Sequence, residues 1–281
     1  MTTLHTFGCS ITQGFALPDV VRTLTDDSGV PLTNQQIIEQ GIDWSEIHIY
    51  KPSEYAWPTV LARKLGLPVN NYARRGACFQ QIARQCVTES KNIKQGDIVI
   101  VMWTYLSRLS LQWPARTAMP FATATDPKWN WRTMVVGINK AFGLERSKST
   151  SADQHIQEYI HNSLKHTYLD PLGIYNRYYN NLVLQSLADG YLRSTGARVI
   201  HLSVEAESGL EQLESARSEL DPSLREPYVI PDPESWYLAN VDYNCCPVIL
   251  DPSIPLAEND MHPSVTHHKN FAEYVYNQYF L

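Results

Sequence analysis

Phe7-Gly8-Cys9-Ser10-Ile11-Thr12-Gln13-Gly14 follows directly on the first expected strand, residues 2–7, and sets a serine in a turn bounded by glycines. Gly8 and Gly14 free the backbone to turn tightly and to approach a substrate closely. A helix beginning at such a turn aims unpaired N–H groups at charge developing over the serine. Taken alone, Ser10 or Thr12 reads more readily as a plain helix cap. What surrounds the turn decides between the two.

Residues 97–103 and 197–204 are apolar, β-branched runs, the pattern of parallel strands buried on both faces. Residues 67–72 form a weaker strand introduced by Gly66 and Pro68. Helical patterns lie between: 54–65, with Gly66 as C-cap, and 79–90, with Ile82, Cys86 and Val87 on one face. A third covers 177–194, with Leu182, Leu187 and Tyr191 in register before Gly196, and a fourth 265–280, with Phe271, Val275 and Tyr279 spaced by four. This alternation predicts an α/β fold, a mainly parallel sheet of about five strands covered on both faces. Three stretches, about 19–53, 105–150 and 205–250, exceed ordinary connections and read as insertions in one domain spanning 1–281.

The chain has 281 residues, 43% hydrophobic and 19% charged, enough for a sizeable core. A formal charge of −6 argues against nucleic acid as a partner, since that surface needs a basic stripe. No apolar run reaches membrane-spanning length, which argues against a membrane partner, and no leader is visible before the first strand. The expectation is a cytoplasmic protein, with delivery on a virus particle left open. Five cysteines, Cys9, Cys78, Cys86, Cys245 and Cys246, are odd in number and lack metal-ligand spacing, so they read as buried thiols in a reducing compartment. Seven Trp and sixteen Tyr hint at a stacking surface for a flat group such as a sugar ring. Oligomeric state is not disclosed by the sequence.

In an open α/β sheet, ligands bind at the carboxyl ends of the strands near the topological switch point. Ser10 belongs there. The loop after the second strand carries Asn71 and Gly76; Gly76 can present its N–H to an oxyanion, or can simply be a positive-φ glycine before a helix. The third strand runs out through Trp103-Thr104-Tyr105-Leu106-Ser107-Arg108. Thr104 offers a hydroxyl and Arg108 a charge for an anionic group, against the alternatives of a strand-end hydrogen bond and a solvated cation. Asp260-Met261-His262-Pro263 introduces the last helix, with His262 as base and Asp260 or Glu258 to hold its tautomer. His267 and His268, a turn later, are expected on the helix surface.

These blocks, Gly8 to Thr12, Asn71 to Gly76, the end of strand three and Asp260 to Pro263, resemble the SGNH or GDSL-type hydrolase superfamily in content and order. The resemblance implies a flavodoxin-like, three-layer α/β/α fold, a nucleophile at Ser10 and a base at His262. It further implies an oxyanion hole from the N–H groups of Ser10 and Gly76 plus a side chain on block three, and no metal or organic cofactor. Three departures stand out. Cys9 replaces the usual Asp; Trp103-Thr104 replaces Gly-x-Asn, leaving Thr104 as the candidate donor; and Asn259 holds the usual Asp position, leaving Asp260 as candidate acid. The function expected is a serine esterase acting on an O-acyl, typically acetyl, group of a saccharide, with Asn71, Trp103 and Arg108 against the substrate. The alternatives are a decayed carbohydrate-binding or assembly protein on the same scaffold, and an acyltransferase using the same residues.

Overall fold

The computed structural model describes residues 1–21, 24–26, 28–30, 32, 36, 40, 51–105, 108–112, 125–126, 131–135, 171–205, 211, 218, 233–257 and 262–281. Its centre is a parallel sheet of five strands: β1 (Leu4–Phe7), β2 (Val69–Asn71), β3 (Ile98–Trp103), β7 (Arg198–Ser203) and β8 (Val241–Asp242), in the order β2-β1-β3-β7-β8. In chain order this is the 2-1-3-4-5 arrangement of flavodoxin-like sheets, whose switch point lies between β1 and β3. Ser10 follows β1 by three residues and so stands at that crevice. Three further strands, β4 (Arg108–Gln112), β5 (Thr125–Asp126) and β6 (Trp131–Val135), form a separate antiparallel sheet within the 105–150 segment.

Helices cover both faces of the parallel sheet, giving three layers. On one face α2 (Trp57–Leu65) packs on α7 (Val265–Tyr279), which also meets α6 (Cys246–Ile249); on the other α3 (Phe79–Glu89) packs on α4 (Pro171–Ser194), which also meets α5 (Pro233–Asn240). α2 ends where the sequence says it should, at Gly66 in the left-handed region with φ 67°, and its N–H bonds back to the last turn. Trp57 packs edge-on against Phe271 at 5.3 Å, and the Trp57 N–H donates to His268 Nδ1 at 3.1 Å. That bond corrects the expected surface position of His267 and His268, which are both fully buried. Burial of this magnitude keeps His268 neutral, with its pKa pushed down to about 3. Among the described residues its Nε2 has no partner.

Two more expectations about helix faces need correcting. Val87 on α3 and Leu187 and Tyr191 on α4 are exposed, although Ile82, Cys86 and Leu182 are buried as expected. The buried stripe of α4 is Tyr178, Asn181, Leu182, Gln185, Ala188, Asp189 and Leu192. Three of these are polar, so a search for apolar periodicity selects the wrong side.

Both long segments whose ends are described are closed by contacts between those ends. The Asp19 carboxylate accepts from the Ser53 hydroxyl at 2.5 Å and from the Glu54 N–H at 2.7 Å. At the other segment Cys245 Sγ lies 3.1 Å from the Ser203 carbonyl and Cys246 Sγ lies 2.9 Å from that of Val204. All five cysteines are buried, and none is in a disulfide. Burial pushes the Cys245 thiol well up, which keeps it protonated and able to donate. Among the described residues no helix is long and apolar enough to cross a membrane.

Candidate active site

The serine turn is shaped by close packing. A Cβ on Gly8 would collide with the Thr12 side chain and come within 3.1 Å of the Met102 carbonyl oxygen, so only glycine lets the chain leave β1 so near β3. Ser10 opens a one-turn helix, α1 (Ser10–Gln13), which Gly14 ends at φ 77° with its N–H on the Ser10 and Ile11 carbonyls. There a Cβ would meet Ala56 at 2.7 Å. Ala16, two residues on, is also left-handed at φ 66°, an unfavourable conformation for a residue with a Cβ. The Ser53 N–H donates to the Gln13 carbonyl at 2.9 Å, tying the turn to the start of α2. The Thr12 hydroxyl reaches the Met102 sulfur at 3.3 Å and holds the turn over the end of β3.

His262 approaches from the other end of the chain. Its carbonyl accepts from the Ala257 N–H at 2.9 Å, and α7 begins just after it with Ser264 as N-cap. His267 fixes that entry, with Nδ1 accepting from the Ser264 N–H at 3.1 Å and Nε2 donating to the Asp251 carbonyl at 2.9 Å. The result is that His262 Nε2 lies 2.9 Å from Ser10 Oγ, across 252 residues of sequence. With Nδ1 carrying the ring proton, the serine hydroxyl donates to Nε2, the arrangement a general base needs. Ser10 is nearly buried and His262 half-buried. Asp260, the expected acid, and Glu258 lie outside the described residues.

The loop after β2 is held against the turn. Asn71 Nδ2 donates to the Thr12 carbonyl at 2.9 Å and its Oδ1 accepts from the Ala73 N–H at 3.1 Å, while the Arg74 N–H donates to the Gly8 carbonyl at 3.1 Å. These bonds give Asn71, expected against substrate, a bracing role between the two loops. Gly76 is buried with φ 68°, a conformation for which glycine is the natural residue. Among the described residues the N–H groups of Ser10 and Gly76 donate to no protein acceptor.

At the end of β3, Thr104 is fully buried and its hydroxyl has no partner among the described residues. A buried hydroxyl without a partner costs about 1–3 kcal/mol, so its retention calls for a reason. Trp103, expected against substrate, requires correction. Its ring is wholly buried, stacked on Phe79 at 5.3 Å, and its indole N–H donates to His201 Nδ1 at 3.0 Å. Alternate residues of a strand face opposite layers, and Trp103 belongs to the α3–α4 side. The Arg108 side chain lies outside the described residues; only its place at the start of β4 is given.

Phe15, a neighbour of the histidine, and Arg75, which stacks on Phe15, are not among the residues expected from the sequence. The Phe15 ring lies 4.9 Å from the His262 ring, tilted by 59°, and the Arg75 guanidinium lies 4.2 Å from the centre of the same phenyl ring. Both residues adjoin motifs already singled out, Phe15 after Gly14 and Arg75 before Gly76, so adjacency was the available signal. Among the described residues no group of three or more His, Cys, Asp or Glu side chains is placed to hold a metal.

The sequence matches no protein-family model and no curated protein. Among solved structures the chain is similar to a lipolytic protein of the G-D-S-L family from Desulfitobacterium hafniense DCB-2, at 11% identity over 99% of each chain with a TM-score of 0.44. It is similar to an acetyl xylan esterase from the rumen bacterium Butyrivibrio proteoclasticus, at 11% identity over 99% of this chain and 64% of that one with a TM-score of 0.43. It is also similar to phospholipase A1 from Streptomyces albidoflavus NA297, at 10% identity over 99% and 98% of the two chains with a TM-score of 0.37. These neighbours are lipolytic proteins and a carbohydrate esterase, but at such identities and TM-scores the function of this chain has to be argued from its own residues.

Proposed function

We propose that the chain is a serine esterase that hydrolyses an O-acyl group, typically acetyl, carried on a saccharide. The observation that carries this reading is the 2.9 Å approach of Ser10 Oγ to His262 Nε2 at the switch point of the sheet. His262 takes the hydroxyl proton as Ser10 Oγ attacks the ester carbonyl. The N–H groups of Ser10 and Gly76 and the hydroxyl of Thr104 receive the negative charge on the carbonyl oxygen. His262 then returns its proton to the departing sugar oxygen, leaving Ser10 acylated. Water, deprotonated by the same imidazole, releases the acid and restores the hydroxyl. Asp260 holds the Nδ1 proton of His262 in this scheme. The saccharide part draws on the abundance of Trp and Tyr, three of the Trp (Trp113, Trp129, Trp131) falling in the 105–150 segment.

A fluorophosphonate probe tests the chemistry without knowledge of the substrate. Labelling is expected on Ser10 and is lost in both Ser10→Ala and His262→Ala. A folded wild-type protein that takes no label would remove the hydrolase reading. Acetylated polysaccharides compared with long-chain nitrophenyl esters test the substrate class, and a strong preference for the long chains counts against the saccharide.

A further inference from the structure

We infer that Phe15 is a positioning residue for the general base: its ring fixes the plane of the His262 imidazole, so that Nε2 stays aimed at the Ser10 hydroxyl. The inference rests on the esterase reading above, in which His262 is that base, and adds a residue to its machinery.

The last torsion of a histidine side chain is broad, so the loop that carries His262 does not by itself fix the plane of the ring. A proton transfer across the 2.9 Å between Ser10 Oγ and Nε2 needs that plane fixed. Phe15 stands where it can do this. Its ring centre lies 4.9 Å from that of His262, with the planes tilted by 59°, so neither ring turns without displacing the other.

Phe15 is itself held from several sides. It is buried, its N–H donates to the Ser10 carbonyl at 2.9 Å, and the Arg75 guanidinium lies over its ring, 4.2 Å from the centre. One residue therefore bonds to the backbone of the nucleophile and packs its side chain against the base. Left-handed residues stand on both sides of it, Gly14 at φ 77° and Ala16 at φ 66°. Glycine adopts that conformation readily, whereas a residue with a Cβ does so under strain. Such strain persists where the surrounding structure enforces it, and it gathers at catalytic sites. Here it belongs to the turn that directs the Phe15 side chain toward the imidazole.

The test uses the full-length chain and nitrophenyl acetate. Phe15→Leu, which stays apolar but removes the ring, should lower kcat by about 10–100-fold with KM within about twofold of wild type. Phe15→Tyr, which restores a ring, should recover most of that loss. In a His262→Ala background Phe15→Leu should cost nothing further, because its effect passes through the imidazole. Ala16→Val, poorly suited to the left-handed region, should lose kcat as Phe15→Leu does, and by more than Ala16→Gly, which suits it. A lower urea midpoint in Phe15→Leu with kcat unchanged overturns the inference, as does an undiminished loss in the His262→Ala background. A second arm needs no turnover. In ¹⁵N-histidine protein the Nε2 resonance of His262, assigned with His262→Ala, reports the bond from Ser10. In Phe15→Leu it is expected to move toward its position in Ser10→Ala; a resonance that stays at the wild-type position overturns the inference. Wild-type protein that neither turns over nor takes the fluorophosphonate label removes the esterase reading, and the resonance then decides by itself whether Phe15 orients the ring.

Discussion

Two histidines stand near the carboxyl ends of the central strands, and they differ in nearly every respect that matters to chemistry. His262 is half-buried on a loop and faces a serine hydroxyl. His201 is buried inside β7, accepting from the Trp103 indole and donating from Nε2 to Asp189 Oδ1 at 2.8 Å. Arg193 completes that group with a bond to Asp189 at 2.7 Å. Burial pushes Asp189 up, but the bonds from His201 and Arg193 outweigh it and hold the carboxyl below its usual range. Burial likewise lowers His201, against the pull of Asp189, so the ring stays neutral with both nitrogens engaged. A histidine paired with an aspartate is therefore no catalytic signature by itself. What distinguishes His262 is a nucleophilic hydroxyl on its Nε2 and partial access from solvent.

The contrast breaks most sharply at Ser10 and His262. Replacing either by alanine should lower kcat on a short-chain ester by about 10⁴-fold or more, and replacing both should cost little beyond that, since the two act as a unit. Steady-state kinetics of the three variants checks this, with urea midpoints near wild type to show that folding survives. Clearly additive losses would count against a shared proton transfer.

Thr104→Val comes next. It should lower kcat by about 10²–10³-fold by removing one oxyanion donor, while stability holds or rises because an unpartnered buried hydroxyl is gone. A stability loss with unchanged kcat would make Thr104 a structural residue.

Asp189→Ala should act in the opposite sense. It leaves the buried Nε2–H of His201 without its acceptor and should cost about 1–3 kcal/mol in urea unfolding, with labelling of Ser10 retained at native temperature. Acidification should produce the smallest effect per step. The folded pKa of His268 lies near 3, below its ordinary 6.5, and that of His201 is also lowered, so the unfolded chain binds more protons below pH 6.5. Stability is then fully present above pH 6.5 and falls below it, by about 1.4 kcal/mol per pH unit for His268. Denaturant titrations between pH 7 and 4.5 should show that slope, reduced in His268→Gln.

The sheet was legible because its strands are short apolar runs between glycine and proline punctuation, signals carried by neighbouring residues. β8, only two residues long, offers no pattern to read. The buried face of α4 departs from apolar periodicity for a physical reason. Asn181, Gln185 and Asp189 lie on the buried stripe, and the last of these is there to meet His201 from another element. Buried polar residues justified by distant partners are invisible to local periodicity. His267 and His268 depart from expectation on the same account, since the Asp251 carbonyl that accepts from His267 and the Trp57 N–H that donates to His268 lie 16 and 211 residues away in the chain.

Local sequence by itself determined the order of strands and helices, the glycine-shaped turn around Ser10 and the helix start beside His262, because each depends on conformational preferences within a few residues. Only the tertiary structure decided that Ser10 meets His262, that Trp103 serves the core, and that Phe15 packs beside the imidazole. Those outcomes depend on which strand lies beside which and on the depth to which each side chain is packed, quantities that no stretch of neighbouring residues contains.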